Sequence, residues 1–288
     1  MNTHSLTLPA QTSMGTARLA VADLERSLDF YTRVLGLRAQ TSDDGARLWA
    51  GNTLLIELEE KRGAIPQPRR STGLYHLALL VPSQVDLGRI VLNIARTKTP
   101  IQGFGDHYVS EALYLADPDG NGLEIYRDRP RDQWRWNGQQ VVMGTEAVDV
   151  DGLLASVPDP DAPFTVMPEG TVMGHVHLRV GDIQEAEAFY VQALGFEVVS
   201  RFGGALFVSA GGYHHHLGLN TWQSAGAPPP PENAVGLLDY SIVVPDQADL
   251  EPIQQRLSAQ GYTFSLGADS LSLADPWHNR LHILVQAP

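Results

Sequence analysis

Histidine and carboxylate side chains carry whatever chemistry this 288-residue chain can do, because it holds ten histidines and no cysteine. Without thiols, disulfides, thiolate zinc sites, iron–sulfur clusters and a cysteine nucleophile are excluded, and any bound metal must use His, Asp, Glu or Tyr. The histidines follow a pattern. Val176, Leu178 and Val180 alternate with His175, His177 and Arg179; Leu77, Leu79 and Val81 oppose His76; Leu123 and Ile125 oppose Glu124 and Tyr126. Leu217 and Leu219 likewise set His214 and His216 on the opposite face, and Tyr114 stands between Leu113 and Leu115. Such period-two alternation marks a strand covered by a helix on one face, with the other face turned toward whatever the sheet encloses. Polar groups on an enclosed face cost several kcal/mol unless they bond to one another or coordinate something. Two histidines and a carboxylate suit a non-haem Fe(II) centre with positions left open for substrate and O2, with Mn(II) as the nearest substitute. A set of mutually satisfied structural histidines is the alternative.

The elements that position these residues come from a repeat. Shifting the chain by 159 lays Gly15–Gly36 on Gly174–Gly195 with eight identities in 22. Shifts of 158 and 163 lay Tyr114–Tyr126 on Ser272–Leu284 and Gly73–Pro82 on Gly236–Pro245. Each half in turn reads as two units of strand, helix and three further strands. Asp182 is placed to cap a helix with Glu185 at the capping-box position; Ile183, Ala186, Tyr190 and Leu194 line one face, and Gly195 ends it. Strands over Phe196–Phe202, Ala205–Ser209 and His214–Asn220 follow, separated by the turns Gly203-Gly204 and Gly211-Gly212. The expected fold is α+β, with four βαβββ modules beginning near Thr16, Leu74, Gly174 and Leu237. They form an N-terminal half over 1–130, a connection over 131–171 and a C-terminal half over 172–288.

Composition narrows the partners. Lys and Arg number 20 against 33 Asp and Glu, a net charge of −13 that repels a phosphate backbone, so nucleic acid is not expected as a ligand. Met1 to Thr16 shows no basic segment followed by an apolar run, and nowhere do about 18 apolar residues run together. A cytoplasmic protein with no membrane partner is the expectation, and a symmetric homo-oligomer is anticipated. Arg127, Arg129 and Arg131 read as solvated loop residues, and Trp134 and Trp136 as packing residues.

The modules, the Asp23–Tyr31 helix and the Ala116–Glu124 strand resemble the vicinal oxygen chelate superfamily, over nearly the whole chain. Gly73–His76, Asp106-His107, Ser110–Tyr114, Asp117–Glu124 and Gly211–Asn220 are similar to the catechol 2,3-dioxygenase branch of the type I extradiol dioxygenases. The resemblance implies curved, partly closed mixed sheets around a metal cavity. It implies His76, Glu124 and His175 as metal ligands. Tyr114, ten residues before Glu124, would contact the substrate. His216 would be the acid–base histidine, and His107 and His214 would contact the substrate too. The C-terminal half also offers His175, Asp239 and His282, a rival ligand set. Because only the second module carries the complete His, Tyr and Glu pattern, modules two and three are expected to pair across the site.

The implied activity converts catechol or a substituted catechol and O2 to a 2-hydroxymuconic semialdehyde at Fe(II). A glyoxalase-like lyase or isomerase would draw carboxylate ligands from both paired modules, and one such Glu stands out. In a non-catalytic small-molecule binder, a His76, His175 and Glu124 triad would be superfluous.

Overall fold

Asp23, Ser83 and Asp182 each stand in extended backbone before a helix and accept the main-chain N–H three residues on. Each such cap stabilises its helix by about 1 kcal/mol. The computed structural model describes residues 7–287, so the first six residues of the Met1–Thr16 segment lie outside it.

Module one comprises β1 (Ser13–Val21), α1 (Leu24–Asp29), β2 (Arg38–Thr41), β3 (Gly45–Ala50) and β4 (Thr53–Glu60). Module two comprises β5 (Gly73–Leu80), α2 (Gln84–Arg96), β6 (Ile101–Asp106), β7 (Ser110–Ala116) and β8 (Gly122–Asp128). The connection holds a small hairpin, β9 (Trp136–Asn137) and β10 (Gln140–Val141), and α3 (Val150–Ala155). Module three has β11 (Val172–Arg179), α4 (Ile183–Glu187), β12 (Glu197–Phe202), β13 (Ala205–Ser209) and β14 (Leu217–Asn220). Module four has β15 (Gly236–Val244), α5 (Leu250–Ala259), β16 (Phe264–Leu266), β17 (Ser270–Ala274) and β18 (Arg280–Val285).

The modules pair crosswise. One eight-stranded sheet runs β16-β17-β18-β15-β1-β4-β3-β2, joining modules four and one; the other runs β12-β13-β14-β11-β5-β8-β7-β6, joining three and two. Within a module the first and last strands are parallel, and between modules the two first strands meet antiparallel. Both sheets are therefore mixed, as expected, and modules two and three share one.

Two helices differ from a regular spiral. α1 and α4 each widen into a π-helical turn, over Phe30–Val34 and Ala188–Ala193. Such a turn brings adjacent aromatics inward together, and Tyr31 and Tyr190 are both fully buried. The Tyr31 hydroxyl donates to Asp117 Oδ2 at 3.0 Å and that of Tyr190 to Asp275 Oδ2 at 2.8 Å. Each bond ties the two modules of one half, although those modules lie in different sheets. Gly195, at φ 98°, ends the second helix where its sequence predicts.

A continuous apolar core runs through all four modules, including Leu19, Leu77, Val176 and Ile242. Among the described residues no helix is long and apolar enough to cross a membrane. Trp134 is buried against Tyr213 and His214, at ring separations of 5.9 and 5.3 Å, so it packs as predicted, while Trp136 is exposed. Arg127 and Arg129 are not solvated loop residues. They clamp Glu111 at 2.6 and 2.9 Å, because β8 sets Arg127 directly opposite Glu111 on β7 and Arg129 follows just past the end of β8.

Candidate metal centre

Three adjacent strands bring the expected ligand set together. β5 carries His76, β8 lies parallel to it and carries Glu124 opposite Ala78, and β11 lies antiparallel on the other side with His175 also opposite Ala78. Glu124 Oε2 is 3.0 Å from His76 Nε2 and 3.1 Å from His175 Nε2, and one ligand atom from each residue falls within 4.8 Å of the others. All three side chains are buried.

The directions matter as much as the distances. Although His76 Nε2 is close to the carboxylate, the in-plane direction of that nitrogen misses the oxygen, leaving it buried without a hydrogen-bond partner. A buried imidazole nitrogen in that condition costs about 1–3 kcal/mol. The cost disappears if a cation takes the lone pair, so this donor set fits a metal ion. Burial lowers His175 to a pKa of about 4 despite the neighbouring Glu124, so its ring is neutral near pH 7. Burial alone would raise Glu124, yet His175 and His76 hold it well below the ordinary carboxylate range. Neutral imidazoles and an ionised carboxylate are the protonation states that metal ligation requires.

The cluster sits in the wall of a cavity of about 840 Å³. His107 and Tyr114 line it and are joined at 2.7 Å through His107 Nε2. The other ring nitrogen, Nδ1, lies 2.7 Å from the carbonyl of Gly144. A carbonyl only accepts, so Nδ1 carries the hydrogen and Nε2 accepts from the Tyr114 hydroxyl. Burial, and then the charge of Glu124, raise Tyr114 well above the ordinary phenol value. The connection between the halves thus orients a cavity residue through Gly144.

His216 and His214 require correction. His216 does not line the cavity; its Nδ1 accepts from Ala210 N–H at 3.2 Å and lies 3.1 Å from Ser209 Oγ. Burial lowers it to a pKa of about 3. His214 is fully buried behind the wall, with Nε2 on Asp128 Oδ1 at 2.9 Å and Nδ1 on His215 Nδ1 at 2.8 Å. His215 is the member of the run that lines the cavity. Gly211 and Gly212, at φ 62° and 66°, turn the chain so that extended structure resumes only at Leu217. Alternation counted back from Leu217 therefore selects the wrong histidines.

His177 also lines the cavity, its Nε2 3.0 Å from Asn220 Nδ2, and its ring lies where a Cβ on Gly218 would come within 2.8 Å. Its signal was its spacing of two residues from His175. The rival set His175, Asp239 and His282 is separated by the crosswise pairing, since the latter two lie in the other sheet. There the Arg18 guanidinium takes the place a cation would occupy, binding Asp239 at 2.7 Å and Glu59 at 2.8 Å. His282 Nε2 stands 3.8 Å from Asp239.

Fold, repeat and site together define the class. The chain belongs to the Glyoxalase/Bleomycin resistance protein/Dioxygenase superfamily, whose family model matches residues 13–125 and again 172–283. Among individual proteins, it is 46% identical over 271 residues to a catechol-2,3-dioxygenase of Bacillus subtilis (strain 168), covering 92% of this chain and 94% of the relative. The solved structure of glyoxalase I from Zea mays superposes with a TM-score of 0.58 at 16% identity, covering 96% of this chain and 92% of that one. A solved structure of a candidate dioxygenase from Bacillus subtilis gives a TM-score of 0.62 at 15% identity, covering 98% and 87%. These two structural likenesses speak to the fold alone.

Proposed function

We propose that this protein is an extradiol dioxygenase that opens catechol or a substituted catechol with O2 to a 2-hydroxymuconic semialdehyde. The observation that carries this reading is the His76, Glu124 and His175 cluster with its partnerless His76 Nε2. The 46% identity to a catechol-2,3-dioxygenase supports it. His76, Glu124 and His175 would hold Fe(II), or Mn(II) in its place, and the ion would supply Lewis-acid and one-electron chemistry there.

The rest falls to the chain's own groups. With Asp128 as acceptor and His214 a neutral ring, His214 Nε2 carries the hydrogen and its Nδ1 accepts from His215 Nδ1–H. That sequence of bonds leaves His215 Nε2 as the lone pair available to take a catechol proton; burial holds the ring well below the ordinary imidazole pKa, so it stands neutral, and the Asp128 carboxylate reaches its charge only through His214. His215, rather than His216, is therefore the acid–base residue of this reading. Tyr114 and His107 orient the ring, with the hydroxyl proton of Tyr114 shared toward His107 Nε2.

The test is O2 uptake when catechol is added to protein loaded anaerobically with Fe(II), with a parallel Mn(II) sample. Uptake with a yellow ring-opened product, absent in His76→Ala, is the expected result. Metal-loaded protein that consumes no oxygen with catechol or simple alkyl catechols would overturn the reading.

A further inference from the structure

The cavity changes character along its length. On β11, Arg179 shares a face with His175 and His177 and lies four residues from His175, about 13 Å at a rise of about 3.3 Å per residue. Between them stands an aromatic wall, with the Tyr75 ring 4.9 Å from His177 and 5.4 Å from Trp222. Arg69 lines the same outer end, its carbonyl 3.4 Å from Arg179 Nη1.

Apart from histidines, the charged residues lining the cavity are Arg69, Arg179, Asp119 and Glu124. Asp119 is neutralised by an ion pair with Arg26 and accepts from the Ala22 N–H at 2.9 Å. Glu124 belongs to the ligand cluster. Among the described residues neither Arg69 nor Arg179 forms an ion pair with a carboxylate. None of the chain's 33 acidic residues comes within ion-pair distance of either. Arg179 is also held still: Nε and Nη2 donate to the Leu74 carbonyl at 3.0 and 2.7 Å. Of the five N–H groups a guanidinium carries, these bonds and the long one to Arg69 use three. Two remain for a ligand. Partial burial disfavours this charge and pulls its pKa down from the ordinary arginine value.

We propose that Arg179, with Arg69 beside it, is a specificity residue that binds an anionic arm on the substrate, so that the preferred substrates are catechols bearing a short carboxylate side arm. The proposal rests on the ring-cleaving reading above. A single aromatic ring beside His175 is shorter than the about 13 Å of strand between His175 and Arg179, whereas a ring with an arm of two or three carbons has the length to span it. The arm's methylenes would lie along Tyr75 and Trp222, and its carboxylate would meet a fixed, partly desolvated fork that favours two-point binding. Desolvation of an unpaired guanidinium is a standing cost that an incoming anion relieves.

The experiment measures O2 uptake by the iron-loaded enzyme with five probes. They are catechol, a catechol with a propionate arm beside one hydroxyl, its isomer with the arm one carbon further round, and the methyl ester of each acid. For at least one isomer the acid is expected to exceed its ester in kcat/KM by about tenfold or more, the scale of one charged hydrogen bond. Arg179→Gln should cut that ratio about tenfold, Arg179→Lys should restore part of it, and added salt should shrink it. A ratio near one, or a ratio unchanged in Arg179→Gln even if every rate falls, would overturn the proposal and reduce Arg179 to a tie on Leu74. Turnover of catechol without preference for either acid overturns this inference alone. No uptake with any probe overturns the ring-cleaving reading and this inference with it.

Discussion

Replacing Asp128 with asparagine isolates the bond sequence that sets the His215 tautomer. Asp128 Oδ1 lies 2.9 Å from His214 Nε2, and the two Nδ1 atoms of His214 and His215 lie 2.8 Å apart. With both rings neutral, a carboxylate admits a single arrangement of hydrogens along that line. An amide, with both a donor and an acceptor, admits the reverse as well, in which the hydrogen sits on His215 Nε2 and no lone pair faces the cavity. The amide also withdraws the charge that steadies a protonated His215. A charge-assisted hydrogen bond contributes about 1.5–3 kcal/mol and a neutral one about 0.5–1.5, so the expected loss is about 1.5 kcal/mol, or roughly tenfold in kcat. Asp128 lies outside the ligand cluster, so iron content and catechol KM should stay within about twofold. Oxygen-electrode kinetics and iron analysis on wild type, Asp128→Asn and His215→Ala decide the matter. An Asp128→Asn enzyme with wild-type kcat beside an inactive His215→Ala would refute the relay, as would a fall in rate that merely tracks a fall in bound iron.

Three further outcomes are expected. His76→Ala should lose iron on gel filtration whereas His282→Ala should keep it; the opposite pattern would move the metal to the other sheet. Stability should fall as pH drops below about 6.5, because His216 is held neutral down to about 3 when folded but takes a proton at about 6.5 when unfolded. The unfolded chain thus binds more protons across that window, a slope of about 1.4 kcal/mol per pH unit from this one group. Urea midpoints at pH 7 and 5 check it, and a midpoint that does not move counts against it. Arg18→Met should destabilise by about 1–3 kcal/mol, since the mostly buried Asp239 carboxylate loses its cation, while iron content is unaffected; unchanged urea unfolding would show that Asp239 finds another partner.

How far sequence reasoning reached depended on local geometry. His76, Glu124 and His175 were legible because each lies inside a regular strand, where alternation decides the face. The module pairing was legible through Tyr114, whose spacing from Glu124 places the two directly opposite on β7 and β8. Alternation puts His214 and His216 on the cavity face, but the glycine turn before them breaks the period and His215 lines the cavity instead. The π-helical turns escaped because both helices keep a plausible apolar stripe whether or not one turn is widened. Gly144's hold on His107 links residues 37 apart through a main-chain carbonyl, a contact that carries no side-chain signature.

Crosswise pairing also orders events in time. Arg18 on β1 finds Asp239 on β15 across 221 residues, which at a synthesis rate of roughly 5–20 residues per second means about 10–45 s before the partner strand exists. For that interval the nascent chain carries one open edge on β1. The inner pair of modules closes sooner, since β5 and β11 are both made before module four begins. During translation, the sheet that brings His76, Glu124 and His175 together is thus the first to be completed. The outer sheet, closed last by Arg18, then acts as the clasp on a centre already assembled, and its formation is the step at which aggregation through the waiting edge competes with folding.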